Sequence, residues 1–182
     1  GTSIEREVSK KSCENLLANL DENKYDITVY HLPADGNTEW AKNIISNPPQ
    51  IVLSALHGGN GENGSIQGFL HCLNIPYIGS KVLSSAICMN KAMAKTVMKA
   101  NHIQVPDHVF VMRGVDFSQY EESIKLMGFP LIVKPNRGGS SIGVIVARNM
   151  EDIHYGIKNI METYDDDVLI EKFIDGKEIN CC

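Results

Sequence analysis

The chain has 182 residues, 43% of them hydrophobic, with 17 basic and 22 acidic side chains and a formal net charge of -5. This length and apolar content suit one large or two small domains and exclude a disordered chain, while the acidic balance argues against a nucleic-acid partner, which needs a basic face. The apolar runs are a few residues long, far short of the ~20 that span a bilayer, and no basic-then-apolar leader opens the chain, so the expectation is a soluble cytoplasmic protein without a membrane partner.

In chain order, Cys13, Leu16, Leu17 and Leu20 share one face of a predicted helix, "YDITVYHL" (residues 25–32) alternates as a strand does, and "QIVLSAL" (50–56) reads as a buried strand. A glycine-dense loop follows His57, then the helix-like "GSIQGFLHCLN", the extended "IPYIGS", and one long helix from about Leu83 to Lys99 with Ala86, Met89, Met93 and Val97 at helical spacing. This half predicts an open parallel sheet. From Asp107 the texture changes to strand "HVFVM", helix "DFSQYEESIKLMG", strands "LIVK" and "IGVIVA", a helix carrying Ile153, Ile157 and Ile160 on one face, and strand "VLIEKF". Two adjacent strands joined by a short loop predict an antiparallel α+β unit. The expected division is 1–85 and 86–182. The chain opens in a loop and stops at "GKEINCC", which gives the expectation of a protein truncated at both ends.

Four stretches carry candidate chemistry. In "IVKPNRGGSSIGV" (132–144) the glycines expose backbone N–H groups to an anion, but Lys134 precedes Gly138 and Gly139 and strands flank the loop, unlike the common phosphate loop; the stretch reads either as a hairpin folding over a nucleotide or as a plain surface turn. "MNKAMAK" puts Lys91 and Lys95 one helical turn apart, for a phosphate or for solvent. "LHGGNGENGSIQG" (56–68) offers His57 as a proton carrier, Glu62 as a cation ligand and a helix start at Gly64 and Ser65; a capped helix after a turn explains it equally. In "VLIEKFIDGKEI", Glu171 and Lys172 face opposite ways, so one of them points into any given cleft, and Asp175-Gly176 turns the chain toward Glu178; a charged edge strand is the other reading. The five cysteines lack metal-site spacing and are expected to be reduced and mostly buried, with a bond between adjacent Cys181 and Cys182 the one oxidised arrangement considered.

In order, "GTSIEREVS", "HGGNGENGSIQG", "IPYIGS", "SSAICMNK", "GFPLIVKPNRGGSSIGV" and "LIEKFIDGKE" resemble the D-alanine–D-alanine ligase family of the ATP-grasp superfamily. The resemblance implies an N-terminal open parallel sheet domain, then an α+β ATP-grasp subdomain, with a larger C-terminal domain absent. It implies ATP-dependent coupling of two D-alanines through an acyl phosphate, for peptidoglycan precursors. ATP and Mg2+ (or Mn2+) would be the cofactors, with the magnesium ligands beyond residue 182, no metal ligand within the chain, and a homodimer as the assembly.

Carried over by position, Lys91 and Lys134 would contact phosphates, and Gly138, Gly139, Ser140 and Ser141 would close over them. Glu171, Lys172 and the main chain near Ile174 would line the adenine pocket, and Glu178 would hold the ribose. Glu5 would bind the ammonium of the first D-alanine, His57 would lie near its carboxylate, and Ser140 would join Glu5 in organising the second substrate. The family usually has aspartate where this chain has Asn63 and Asn90, and a glutamate near His71, which predicts the loss of two charges and of a helix cap. Two rival readings are a resistance-type ligase joining D-alanine to D-serine or D-lactate, and a nucleotide-binding module without catalysis; the fragment alone is expected to be inactive.

Overall fold

The computed structural model describes residues 3–179. Cys181 and Cys182 therefore lie outside the described residues. The chain divides into two compact units between Met89 and Asn90.

The first unit holds α1 (Arg6–Asn19), α2 (Glu39–Ser46), β1 (Val52–Leu53), a single 3-10 turn (Gly59–Gly61), α3 (Ser65–Cys72), β2 (Tyr77–Ile78) and α4 (Val82–Met89). β1 and β2 pair in parallel, Val52 with Tyr77 and Leu53 with Ile78. Ile44, Leu70 and Ile75 form the buried core, with Trp40 and Phe69 packed on it edge to face, ring centroids 5.4 Å apart. The expected parallel strands are present only in this short form. Residues 25–32 make no strand: alternation marks a potential face, but a strand needs a neighbour in register, and among the described residues β1 pairs with β2 alone. Cys13, Cys72 and Cys88 are free as expected, but Cys72 and Cys88 are exposed rather than buried, because Leu70 and Ser85 occupy the inward positions of α3 and α4.

The second unit holds α5 (Lys91–Ala100), β3 (His108–Val111), α6 (Ser118–Met127), β4 (Leu131–Pro135), β5 (Ile145–Ala147), α7 (Met150–Thr163) and β6 (Val168–Lys172). Its four strands run in the order β3-β6-β4-β5, every neighbouring pair antiparallel. Val111, Leu131, Val133, Val168 and Ile170 face Ile124 of α6 and Ile153, Ile157 and Ile160 of α7 in one dry core. Gly156 lets α7 settle on β4: a Cβ there would lie 2.9 Å from Val133 Cγ1.

The helix expected over 83–99 is two helices. Asn90 is extended (φ -106°, ψ 101°), and its side chain accepts the Met93 N–H at 3.0 Å, ending one helix and capping the next. Apolar periodicity continues through the break, which is why the pattern read as one helix.

The packing sets a graded expectation. Ile160→Ala, at a site with no solvent exposure, should cost about 2–5 kcal/mol. Val146→Ala, 43% exposed on β5, should cost less than about 1 kcal/mol in the same urea titration. Equal costs would mean that the α7 core does not hold this unit together.

Candidate functional site

In the second unit, period-two alternation builds the site. Leu131 and Val133 of β4, with Val168 and Ile170 of β6, turn toward the helices, so Lys134 and Glu171 turn to the other face. The register pairs Lys134 with Leu169 and Ile132 with Glu171, which makes Lys134 and Glu171 diagonal neighbours within reach of each other. Lys134 Nζ donates a hydrogen bond to Glu171 Oε1, and Lys95 Nζ lies 2.8 Å from Glu171 Oε2. The three side chains are 19%, 10% and 12% exposed, in the order Lys134, Glu171, Lys95.

Asn136, fully buried, fastens α5 to this face. Its side-chain oxygen accepts the Ala92 N–H at 2.9 Å and its carbonyl accepts the Lys91 N–H at 3.0 Å. Lys91 Nζ donates to Gly138 O, at the start of the glycine-rich loop. Three ammonium groups and the positive end of α5 thus converge beside one carboxylate.

The electrostatics follow from this crowding. Burial works against the charged form of Glu171, but the hydrogen bonds and charges of Lys134 and Lys95 outweigh it and hold the carboxyl below its ordinary value near 4.5. Burial, and then the charge of Lys134, push the Lys91 ammonium below its ordinary 10.5, against the pull of Asp166 and Glu171. Lys134 and Lys95 each hold one oxygen of Glu171, while the buried Asn136 Nδ2 donates no hydrogen bond. A carboxylate with acceptor sites to spare, beside converging cations, suits a ligand with a polyphosphate and an amino group.

The glycine-rich loop begins on a fixed base: the Arg137 N–H donates to buried Asp166 Oδ2 at 2.6 Å, and the Arg137 guanidinium to Asp167 Oδ2 at 3.0 Å. Beyond it Gly138 and Gly139 are half-buried, while Ser140 and Ser141 are exposed with left-handed φ of 50° and 57°. Of the other expected site residues, Lys172 turns its exposed side chain to the face opposite Glu171, leaving its main chain as the part able to line the same cleft. Ile174 and Glu178 follow the end of β6 and are exposed.

A second cluster lies within the first unit, where α1 is clipped to the glycine-dense loop. Ser3 Oγ donates to the His57 carbonyl at 2.7 Å, and the His57 N–H donates to Ser9 Oγ at 2.9 Å. His57 Nε2 lies 2.7 Å from Ser12 Oγ, and its Nδ1 is 3.7 Å from Glu62 Oε1, so a hydroxyl and a carboxylate bracket the ring. Glu5 sits against the turn at Gly58 (φ 67°): a Cβ there would lie 2.5 Å from Glu5 Oε2. The structure thus brings Glu5 and His57 to one end of α1, while Ser140 belongs to the other unit.

The predicted loss of a cap does not occur. Asn63 Oδ1 accepts the Ser65 N–H at 3.0 Å, and Asn90 caps α5, so each asparagine keeps the acceptor and loses only the charge. His71 is exposed on α3.

Sequence reading missed Asn136, Asp166, Ser9 and Ser12. Asn136 follows an apolar strand directly, which is a signal of a buried polar anchor; the serines carry no pattern apart from the histidine they hold.

Family models described as D-ala D-ala ligase N-terminus and D-ala D-ala ligase C-terminus match residues 34–80 and 97–182, well over half of the chain between them. The chain belongs to the D-alanine–D-alanine ligase family. It is 41% identical over all 182 residues to a D-alanine–D-alanine ligase of Bacillus anthracis, of which it spans 57%. The crystal structure of that organism's ligase complexed with ATP superposes with a TM-score of 0.77 at 34% identity, over 97% of this chain and 57% of that one. The VanG D-Ala:D-Ser ligase of Enterococcus faecalis superposes with a TM-score of 0.81 at 27% identity, over 97% of this chain and 61% of that one.

The pairing of Glu171 has a pH signature. A carboxyl lowered in the folded state contributes stability that is complete above its unfolded value and fades as pH falls through the folded one. The stability difference between the native protein and Glu171→Gln should therefore be flat above about pH 5 and shrink below about pH 4. Urea midpoints across that range measure it, and a difference independent of pH would mean that Glu171 is not ionised between its lysines.

Proposed function

We propose that the full-length protein joins two D-alanine molecules into D-alanyl-D-alanine using ATP, with the second unit holding the nucleotide and the first unit holding the first D-alanine. The observation that carries this reading is the pairing of Lys95 and Lys134 with Glu171 while Lys91 reaches the start of the glycine-rich loop beside them. Family membership and the likeness to an ATP-complexed ligase support it.

In this reading Lys91 and Lys134 bind the phosphates, and Gly138, Gly139, Ser140 and Ser141 close over them. Glu171 accepts a hydrogen bond from the adenine amino group, the main chain of Lys172 and Ile174 borders the ring, and Glu178 takes the ribose hydroxyls. Glu5 receives the ammonium of the first D-alanine with its carboxylate near His57, and Ser140 helps to place the second. ATP transfers its terminal phosphoryl group to the first carboxylate. The amine of the second D-alanine then attacks that carbonyl and phosphate departs, a far better leaving group than oxide. The lysines act by spreading the negative charge of the phosphoryl group in flight.

Magnesium belongs to such a transfer, but among the described residues no group of three or more His, Cys, Asp or Glu side chains could hold a metal ion. The same reading makes the protein a cytoplasmic homodimer serving peptidoglycan synthesis and, through it, cell shape. No helix of the described residues is long and apolar enough to cross a membrane.

The test offers the full-length protein D-alanine, D-serine and D-lactate with Mg-ATP and identifies the products by mass. The expected product is D-alanyl-D-alanine with release of ADP and phosphate. A dominant mixed product would replace the second substrate with D-serine or D-lactate, and intact ATP without coupling would overturn the ligase reading.

A further inference from the structure

Glu171 is held by two lysines that come from different elements. Lys134 extends from β4 and Lys95 from α5, one on each carboxylate oxygen, and all three side chains are largely withdrawn from solvent. For a nucleotide to engage Lys134, that ammonium must turn from Glu171 Oε1 to a phosphate oxygen. The change would leave a buried carboxylate short of a cation just as a second anion arrives. Stranding a charge in this way opposes binding strongly.

Lys95 is placed to prevent it. It stands one turn along α5 from Lys91, on the same side of the helix. The backbone of α5 cannot follow the phosphate, because Asn136 grips the Lys91 and Ala92 N–H groups. Lys91 reaches the glycine-rich loop, whereas Lys95 reaches Glu171. The two lysines of one helix thus have different partners, a loop carbonyl and a carboxylate.

We propose that Lys95 is a positioning residue, the standing counter-ion of Glu171 that releases Lys134 to bind the nucleotide phosphates. This rests on the nucleotide reading of the site. Lys95 touches neither phosphate nor base; from Oε2 it keeps Glu171 charged and oriented, with Oε1 open to a donor once Lys134 leaves, and it lowers the cost of moving Lys134.

The test compares ATP with adenosine, which lacks phosphates, by calorimetric titration of the full-length protein. In Lys95→Met, Lys134 is the last cation on Glu171 and stays there. ATP affinity should fall roughly tenfold or more, while adenosine affinity falls much less, so that the preference for ATP collapses. Lys95→Arg should restore the preference. Adding Glu171→Gln to Lys95→Met should also restore most of it, because a neutral amide no longer retains Lys134. Should Lys95→Met fail to fold, Lys95→Gln carries the same comparison.

A lysine that merely stabilised the fold would lower both affinities alike, and Glu171→Gln would not rescue it. An unchanged ratio of ATP to adenosine affinity in Lys95→Met overturns the inference and leaves the nucleotide site standing. Absence of ATP binding by the unaltered protein overturns the nucleotide site and this inference together.

Discussion

A carboxylate withdrawn from water needs cations against it, and the second unit is arranged around that requirement at Glu171. β6 places the residue on the face away from the helices, β4 brings Lys134 to one oxygen, and α5 brings Lys95 to the other. Removing either side of the cluster alone would be costly, because an unpaired buried charge is among the costliest defects a core can carry. Strand register, the seat of α5 and the start of the glycine-rich loop are thereby tied to one ionic contact.

Asn136 is the mechanical link in that arrangement. It directly follows β4, donates its own N–H to the Asp167 carbonyl at 2.9 Å, and accepts the first two N–H groups of α5. Helix starts leave N–H groups without partners, and here a buried side chain and a backbone carbonyl supply them. With Asp166 holding Arg137 next along the chain, the loop leaves the sheet from a fixed point, while its serines stand outward in left-handed conformations. A fixed root and an exposed tip allow a loop to reorganise over a ligand without disturbing the sheet beneath it.

Much of this was legible in the sequence because it rests on short-range periodicity. The two-residue period of "VLIEK" sets Glu171 and Lys172 on opposite faces, and the spacing of Ile153, Ile157 and Ile160 gives the core face of α7, while the register of β4 on β6 is what brings Lys134 to Glu171. The errors arose where a tertiary partner decides. "YDITVYHL" has the side chains of a strand but no ladder, the apolar rhythm ran across Asn90 where a cap breaks the helix, and Lys95, left open between a phosphate and solvent, is set against Glu171. Serines 9 and 12 hold His57 through contacts 48 and 45 residues distant in sequence, which no local pattern records.

The most direct measurement is the position of a non-hydrolysable ATP analogue in crystals of the full-length protein. The expected result is a polyphosphate against Lys91 and Lys134, with adenine at Glu171 and Lys95 still paired to it. An analogue bound elsewhere, or one whose phosphates leave Lys134 on Glu171, would contradict the assignment of this cluster to the nucleotide.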